Sequence, residues 1–404
     1  MNAARNFPVV DGQISVGGVP LFQYVEQNGG SPLYIYSRDL IDKRVSLLRK
    51  HLPDAVHLSY AIKANPMPDV VKFMAERVDG FDIASAGELK TVLQAPMPVD
   101  NISFAGPGKT DMELRQALEA GVTVNLESAG ELERLVLQGE QTGCRPRVAI
   151  RVNPDFELKG SGMRMGGGAK PFGVDADQVP GLLRRLADLD LDFQGFHIFT
   201  GSQNLRADLV TEAQGKVVDL ALSLAEQAPS PIQLLNLGGG FGIPYFPGDE
   251  PLDLAAVGAG MAPLVKKISA AHPAARIVVE LGRYLVGEAG LYVTRVVDRK
   301  QSRGKTFLVT DGGLHHHLAA SGNFGQILRR NYPVAVGNRM AEAATETVTV
   351  VGCLCTPLDI LADGVDLPRA EVGDLIVVFQ SGAYGPTASP SAFLGHAAPA
   401  EYLV

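Results

Sequence analysis

Lys63 ends the apolar run His57-Leu58-Ser59-Tyr60-Ala61-Ile62 and is followed, after Ala64, by the turn-forming pair Asn65-Pro66. A lysine on a rigid strand end can be partly desolvated. Desolvation lowers its pKa and favours the neutral amine, the form that condenses with an aldehyde. An isolated lysine in such a place is more often a surface residue, so other positions must decide. Gly238-Gly239-Gly240-Phe241-Gly242 follows another apolar run. Glycines let backbone N–H groups approach a phosphate, and a helix N-terminus adds a favourable dipole. Arg283 offers a charged donor for the same anion. Glu280 follows Ile277-Val278-Val279, where a carboxylate is costly to bury unless paired. A neighbouring arginine is one partner; the protonated ring nitrogen of a cofactor is another. An aldehyde-reactive lysine, a phosphate cradle and an acid that keeps a pyridine nitrogen protonated are together the needs of pyridoxal 5′-phosphate, an electron sink.

Eight short β-rich apolar runs must position these groups, at 57–62, 80–84, 101–105, 122–126, 147–152, 192–199, 232–237 and 276–281. Amphipathic stretches at 67–78, 111–120, 128–138, 179–186, 208–228 and 252–271 lie between them. Ser128 with Glu131 has capping-box spacing. Repeated strand–helix units predict a parallel sheet, and eight of them an α/β fold closed as a (β/α)8 barrel, with a doubly wound open sheet as the alternative. In a barrel the site lies at the C-terminal strand ends. The unusual residues fall there: Lys63, Asp82 with Ser85, Arg151 with Asn153, His197, Phe199, Gly201 and Ser202, the glycine run, and Glu280, Gly282 and Arg283. After residue 288 the runs at 291–297, 306–310, 347–353 and 375–379 read as strands without long helices between them. The expected organisation is N-terminal strands over 1–30 joining a β domain, a cofactor-binding barrel over 31–288, and a mostly β domain over 289–404. Residues 13–16 and 33–36 are also strand-like and could both join the β domain.

Hydrophobic residues make up 46% of the 404, and mean hydropathy is +0.09, as in a globular chain. The formal charge of −8 and the lack of a basic stripe argue against nucleic acid. Neither a bilayer-spanning apolar run nor a secretory signal is read in the sequence, so no membrane partner is expected. Three cysteines, Cys144, Cys353 and Cys355, suggest a reducing cytoplasm without a disulfide framework. Cys353 and Cys355 are too few for a zinc site on their own. His315-His316-His317 cannot all face one metal on a strand, because side chains alternate. No metal is therefore expected, and the histidines are read as structural or substrate-facing.

The ordered set Tyr60 to Asn65, Asp82 to Leu89, Gly201-Ser202-Gln203, Gly238 to Gly242, Gly282-Arg283-Tyr284, Gly352 to Asp359 and Gly382-Ala383-Tyr384 resembles the alanine-racemase-fold (fold-type III) pyridoxal-phosphate decarboxylases, which include diaminopimelate and ornithine decarboxylases. The resemblance covers nearly the whole chain. It implies a cofactor barrel followed by a β domain, and a head-to-tail homodimer with sites at the interface. It implies that Lys63 binds the cofactor aldehyde and Glu280 pairs with its ring nitrogen. Gly238, Gly239, Gly240, Ser202, Arg283 and Tyr384 would hold the phosphate, with Asp82, Arg151 and His197 around the ring and the lysine. Cys355 matches the cysteine that reaches across the dimer and protonates the carbanion left by CO2; a thiol pKa can be tuned for that task. Two positions depart from the pattern. Phe199 stands where the family usually has a ring-stacking histidine. Thr356 stands where members acting on diamines carry an acid that meets the distal ammonium.

Met163 to Gly167, Lys170-Pro171-Phe172-Gly173, Asp311 to His317, Cys355-Thr356-Pro357 and Phe393-Leu394-Gly395-His396 are similar to the branch that includes L-glutamyl-[acyl-carrier protein] decarboxylases. That similarity implies an α-amino acid whose side chain is extended or tethered by an acyl carrier, so the expected partner is a small-molecule amino acid or an acyl-carrier-protein thioester. His316, Thr356, Asp359 and Phe393 are the candidate substrate contacts. A free diamino-acid decarboxylase, a racemase on the same barrel, and an inactive binding partner of a decarboxylase remain the competing readings.

Overall fold

Apolar runs of β-branched residues separated by capped helices build the larger part of this computed structural model. It describes residues 6–404 except 157–159, 161, 162, 165, 247, 325, 327 and 328. The chain divides into two compact units, one of residues 44–243 with 251–284, the other of 1–43, 244–250 and 285–404.

In the first unit the strands Val56–Ala61, Gly80–Ile83, Ile102–Phe104, Thr123–Leu126, Arg147–Asn153, Asp192–Ile198, Leu234–Asn236 and Arg276–Leu281 pair in parallel, each with the next. Ile277 pairs with Val56 and Leu281 with Tyr60, so the eighth strand returns to the first and the barrel closes. The open-sheet alternative is thereby excluded. Tyr60, Phe81, Phe104 and Phe196 are fully buried side chains of these strands. Helices begin where the sequence offers caps. Thr110 and Glu113 form a complete capping box. At Ser128 only half of the expected box forms. Ser128 Oγ accepts from Glu131 N–H, but the Glu131 carboxylate instead accepts from Glu127 N–H and pairs with Lys109. Gly121 and Gly143 end helices in the left-handed conformation, at φ 76° and 69°.

One expectation about apolar length needs correcting. The helix Leu254–Ala271 is long and apolar enough by composition to cross a membrane. In the fold it is a shell helix. Val257, Met261, Val265 and Ile268 are buried, and Lys267 Nζ lies 2.6 Å from Asp219 on helix Ala207–Ala225.

In the second unit the long strand Gly290–Ser302 organises a mixed sheet. Its first half pairs antiparallel with Leu33–Tyr36 on one side and Leu375–Val378 on the other, and its second half with Lys305–Thr310. Glu346–Val351 and Ile360–Leu367 extend that sheet, and Ala400–Leu403 lies parallel to Leu33–Tyr36. Leu33, Ile35, Leu291, Val293, Leu375, Val377 and Phe379 form its core with Ile14, Leu21 and Val25. Residues 31–43 thus belong here and not to the barrel as expected, because Leu33–Tyr36 finds its hydrogen bonds and apolar neighbours in this sheet.

Candidate active site

Strand ends set the site. The first barrel strand runs out into a 3-10 turn, Ile62–Ala64, which carries Lys63. Lys63 Nζ lies 3.5 Å from Asp82 Oδ2 and 3.9 Å from Glu280 Oε1, at the ends of the second and eighth strands. Lys63 is less desolvated than expected: 44% of its side chain is exposed, and two carboxylates face it. His197 Nε2, from the sixth strand, stands 3.1 Å from Glu280 Oε2, and Asn236 Nδ2 donates to that same oxygen at 3.2 Å.

Asp82 and Glu280 are both buried, and their surroundings push the two carboxyls in opposite directions. Burial raises the Asp82 carboxyl well above the ordinary range, and the Glu280 charge raises it further, against the pull of Lys63. Burial also works to raise Glu280. His197, Lys63 and the hydrogen bond to Asp82 outweigh it and hold Glu280 below the usual value. Asp82 is therefore the protonated member and Glu280 the carboxylate.

The glycine run is held by its neighbours. Gly238 and Gly240 have φ of 67° and 85°, where other residues are strained. A Cβ on Gly239 would run into the Glu280 carbonyl, and one on Gly238 would lie 2.7 Å from Phe199 Cδ2. Asn236 Oδ1 accepts from Gly238 N–H at 2.9 Å, so a single side chain links the run to Glu280. Asn204 N–H donates to Gly240 O, and Gly242 N–H returns to Asn204 O, which zips the segment after Gly201–Ser202 to the glycine run. Arg283 opens the short helix Arg283–Val286 directly after the eighth strand.

Lys63, Asp82, Arg151, His197, Phe199 and Glu280 line one cleft of about 820 Å³ open to solvent. Arg151 is less available than expected. Its guanidinium pairs with Glu127 at 2.7 Å and lies 5.1 Å above the Phe172 ring. Asn153 is spent on Gly168 O and Asp175. Ser85 is a helix N-cap, accepting from Glu88 N–H. Sequence reasoning missed Asn236, Glu127 and Lys109. Glu127 accepts from Gly106 and Gly173 N–H as well as Arg151, and buried Lys109 donates to Gly106 O, Asn125 O and Glu131. The signal was present. Glu127 directly follows Leu126 at the end of the fourth strand, the same place that drew attention to Glu280.

The remaining candidates lie in the β unit. Tyr384 adopts φ 54°, and its ring is 6.0 Å from that of Phe324. Cys355 is exposed, and all three cysteines are free thiols. Asp359 spends both oxygens on Leu314 and Leu354 N–H, so it clamps the loop around Cys355 instead of offering itself to a substrate. His316 is buried with Nε2 on Ala397 O and Nδ1 on Tyr292 Oη, which corrects its expected substrate-facing role. Thr356 Oγ1 accepts from Leu358 N–H at 3.4 Å, and Phe393 is 44% exposed. Of the segment 163–167, Met165 lies outside the described residues.

Pyridoxal 5′-phosphate fits the barrel site. Asp82 Oδ2 and His197 Nδ1 are buried without hydrogen-bond partners, and Gly238 and Gly239 leave no room for a Cβ where backbone amides must be approached. The model of the pyridoxal-dependent decarboxylases, pyridoxal binding domain, matches residues 38–287. The L-glutamyl-[BtrI acyl-carrier protein] decarboxylase of Niallia circulans is 37% identical over 379 residues, 92% of this chain and 88% of that protein. The 2-[(L-alanin-3-ylcarbamoyl)methyl]-2-hydroxybutanedioate decarboxylase of Staphylococcus aureus is 29% identical over 91% of this chain and 92% of its own length. The crystal structure of Helicobacter pylori diaminopimelate decarboxylase complexed with L-lysine superposes with a TM-score of 0.82 at 26% identity, covering 95% of this chain and 94% of that one.

Proposed function

The chain belongs to the pyridoxal-dependent decarboxylases, and on that premise we propose that it releases CO2 from an α-amino acid whose side chain is extended or tethered to an acyl carrier protein. Lys63, Glu280 and the glycine run hold the cofactor, and Cys355 returns the proton. The observation that carries the site assignment is the cluster of Lys63, Asp82, His197 and Glu280, four side chains from four strand ends on one cleft.

When bound, pyridoxal 5′-phosphate supplies an electron sink for the pair left on the α-carbon as CO2 departs. The protein's tasks follow from its side chains. Lys63 Nζ anchors the aldehyde carbon. Glu280, kept ionised by His197 and Lys63, holds a proton on the ring nitrogen. Asp82, kept protonated by burial, adds no second negative charge beside Lys63. The amides of Gly238, Gly239 and Gly240, with Ser202 and Arg283, would hold the phosphate. Phe199, which lines the cleft, would pack against the cofactor ring, and its phenyl group has no proton to deliver. Cys355 gives its thiol proton to the α-carbon, which completes the amine.

Two observations support an extended substrate. Thr356 is neutral where diamine-specific members carry an acid, and the Niallia circulans relative acts on a carrier-linked glutamyl group by its name. The exposed Phe324, Leu358, Phe393 and Leu394 belong to the same unit as Cys355, and Asn323 Nδ2 donates to Leu358 O. This apolar surface suits a head-to-tail dimer in which Cys355 serves the partner's cleft.

A CO2-release screen with lysine, ornithine, diaminopimelate, glutamate and a glutamyl carrier thioester tests the reading. Release from the thioester with none from the free diamino acids is expected. Release from a free diamino acid would overturn the tethered-substrate assignment and leave the decarboxylase intact.

A further inference from the structure

Three consecutive histidines make a poor metal site as a sequence, yet the fold gives each a separate fate. His317 Nε2 meets Ser381 Oγ at 2.9 Å, and His316 is bound to Tyr292 and Ala397. His315 is fully buried with neither ring nitrogen partnered. An unpaired buried imidazole is costly unless something else takes up its lone pair.

Two further ligands stand beside it. One donor atom each from His315, Cys353 and His396 lie within 4.8 Å of one another. Cys353 Sγ is 3.9 Å from both ring nitrogens of His396, and the His315 and His396 rings are 5.0 Å apart. We propose that His315, Cys353 and His396 form a binding site for zinc(II). Two imidazoles and a thiolate are a borderline-soft set that suits this ion and disfavours magnesium and calcium, which take oxygen ligands. Tetrahedral zinc needs such donor atoms roughly 3.4–3.6 Å apart. A contraction of up to about 1.3 Å is therefore required, and His396, exposed on the segment after Phe393–Gly395, can supply it.

Three protein ligands leave a fourth position open to a water molecule. On binding, the Cys353 thiol gives its proton to solvent and its sulfur bonds the metal; nothing is oxidised or reduced. The ion ties together the His315 turn, the loop after Gly352 and the segment ending at His396. Cys355 lies two residues beyond Cys353, so metal loading would fix the loop that presents it. That last consequence rests on the role assigned to Cys355 above; the metal site itself does not.

The test uses the untagged full-length holoenzyme, stripped with a chelator, dialysed, and titrated with zinc(II) by calorimetry. Cobalt(II) is followed by difference absorbance. One ion per chain is expected, with a thiolate-to-cobalt charge-transfer band and the visible bands of tetrahedral cobalt. Cys353→Ser should abolish the charge-transfer band. His396→Ala, a surface change that spares folding, should weaken zinc binding at least ~10-fold, and Cys144→Ser should leave it unchanged. Failure to bind zinc, an octahedral cobalt spectrum without the thiolate band, or full retention of binding in both variants would each overturn the proposal. None of these readouts depends on decarboxylation, so they fail or succeed independently of the assigned activity.

Discussion

Replacing Glu127 with alanine should loosen the wall of the cofactor cleft more than any surface change in the barrel. Its carboxylate takes Arg151 Nη1 at 2.7 Å and Gly106 N–H at 2.6 Å on one oxygen, and Gly173 N–H at 2.7 Å on the other. Truncation leaves the Arg151 guanidinium, whose side chain is only 9% exposed, without its charge partner. Breaking a buried pair in this way costs about 3–5 kcal/mol. Each orphaned amide adds a desolvation penalty of about 1–3 kcal/mol if water cannot reach it. Gly106 lines the open cleft and Gly173 is partly exposed, which limits that addition, so we expect about 4 kcal/mol in all. Glu127→Gln is the informative comparison. A glutamine oxygen can keep Arg151 and Gly106 but not Gly173, and the expected cost falls to about 2 kcal/mol. Paired urea titrations of the cofactor-free proteins measure both values, and cofactor absorbance should report weakened binding in the same order. A Glu127→Ala loss under 1 kcal/mol, or a glutamine variant as damaged as the alanine one, would refute the clamp.

Lys63→Ala should abolish the visible absorbance that the parent gains with pyridoxal phosphate, and with it CO2 release; an unchanged spectrum would remove Lys63 from the site. Cys355→Ser should lower kcat by ~10²–10⁴-fold, the range for a general acid, while leaving cofactor affinity untouched, as single-turnover kinetics and cofactor titration would reveal. Asp82→Asn should gain stability over the parent as pH rises from 4 to 7. The folded parent keeps Asp82 protonated while the unfolded chain ionises it near pH 3.9, so the parent alone loses stability through that window. Equal pH profiles from chemical denaturation would show that the fold does not hold Asp82 protonated.

The barrel was legible because parallel strands buried on both faces write themselves as apolar runs, and helices between them show caps. Lys63, Asp82 and Glu280 could be found by asking which polar residues interrupt strand ends. Helices Arg38–His51 and Ala86–Val92 were not anticipated, the first being strongly charged and the second only seven residues long. The role of Asn236 was hidden because an asparagine two residues before a glycine resembles any turn residue; only the fold reveals its reach to Glu280. His315 and His396 were illegible as a pair for a different reason. Their meeting depends on how segments about 80 residues apart are laid over one sheet, as the His316 to Ala397 hydrogen bond at a separation of 81 illustrates, and periodicity carries no such information.

The pairing of Leu33–Tyr36 with Ala400–Leu403 has a consequence for how the molecule comes into being. Tyr36 Oη donates to Glu401 across 365 residues. During synthesis the early strand is made long before either of its neighbours in the sheet, Gly290–Ser302 on one side and Ala400–Leu403 on the other. Leu33, Ile35 and their open hydrogen-bonding edges must wait through the making of the whole barrel, exposed to chaperones and to other nascent chains. The barrel's strand pairings span residues 56–281 and can be complete while the ribosome still holds the last strand. The β unit, which bears Cys355, is therefore completed after the barrel, because its early strand gains its second neighbour only once Ala400–Leu403 has been made.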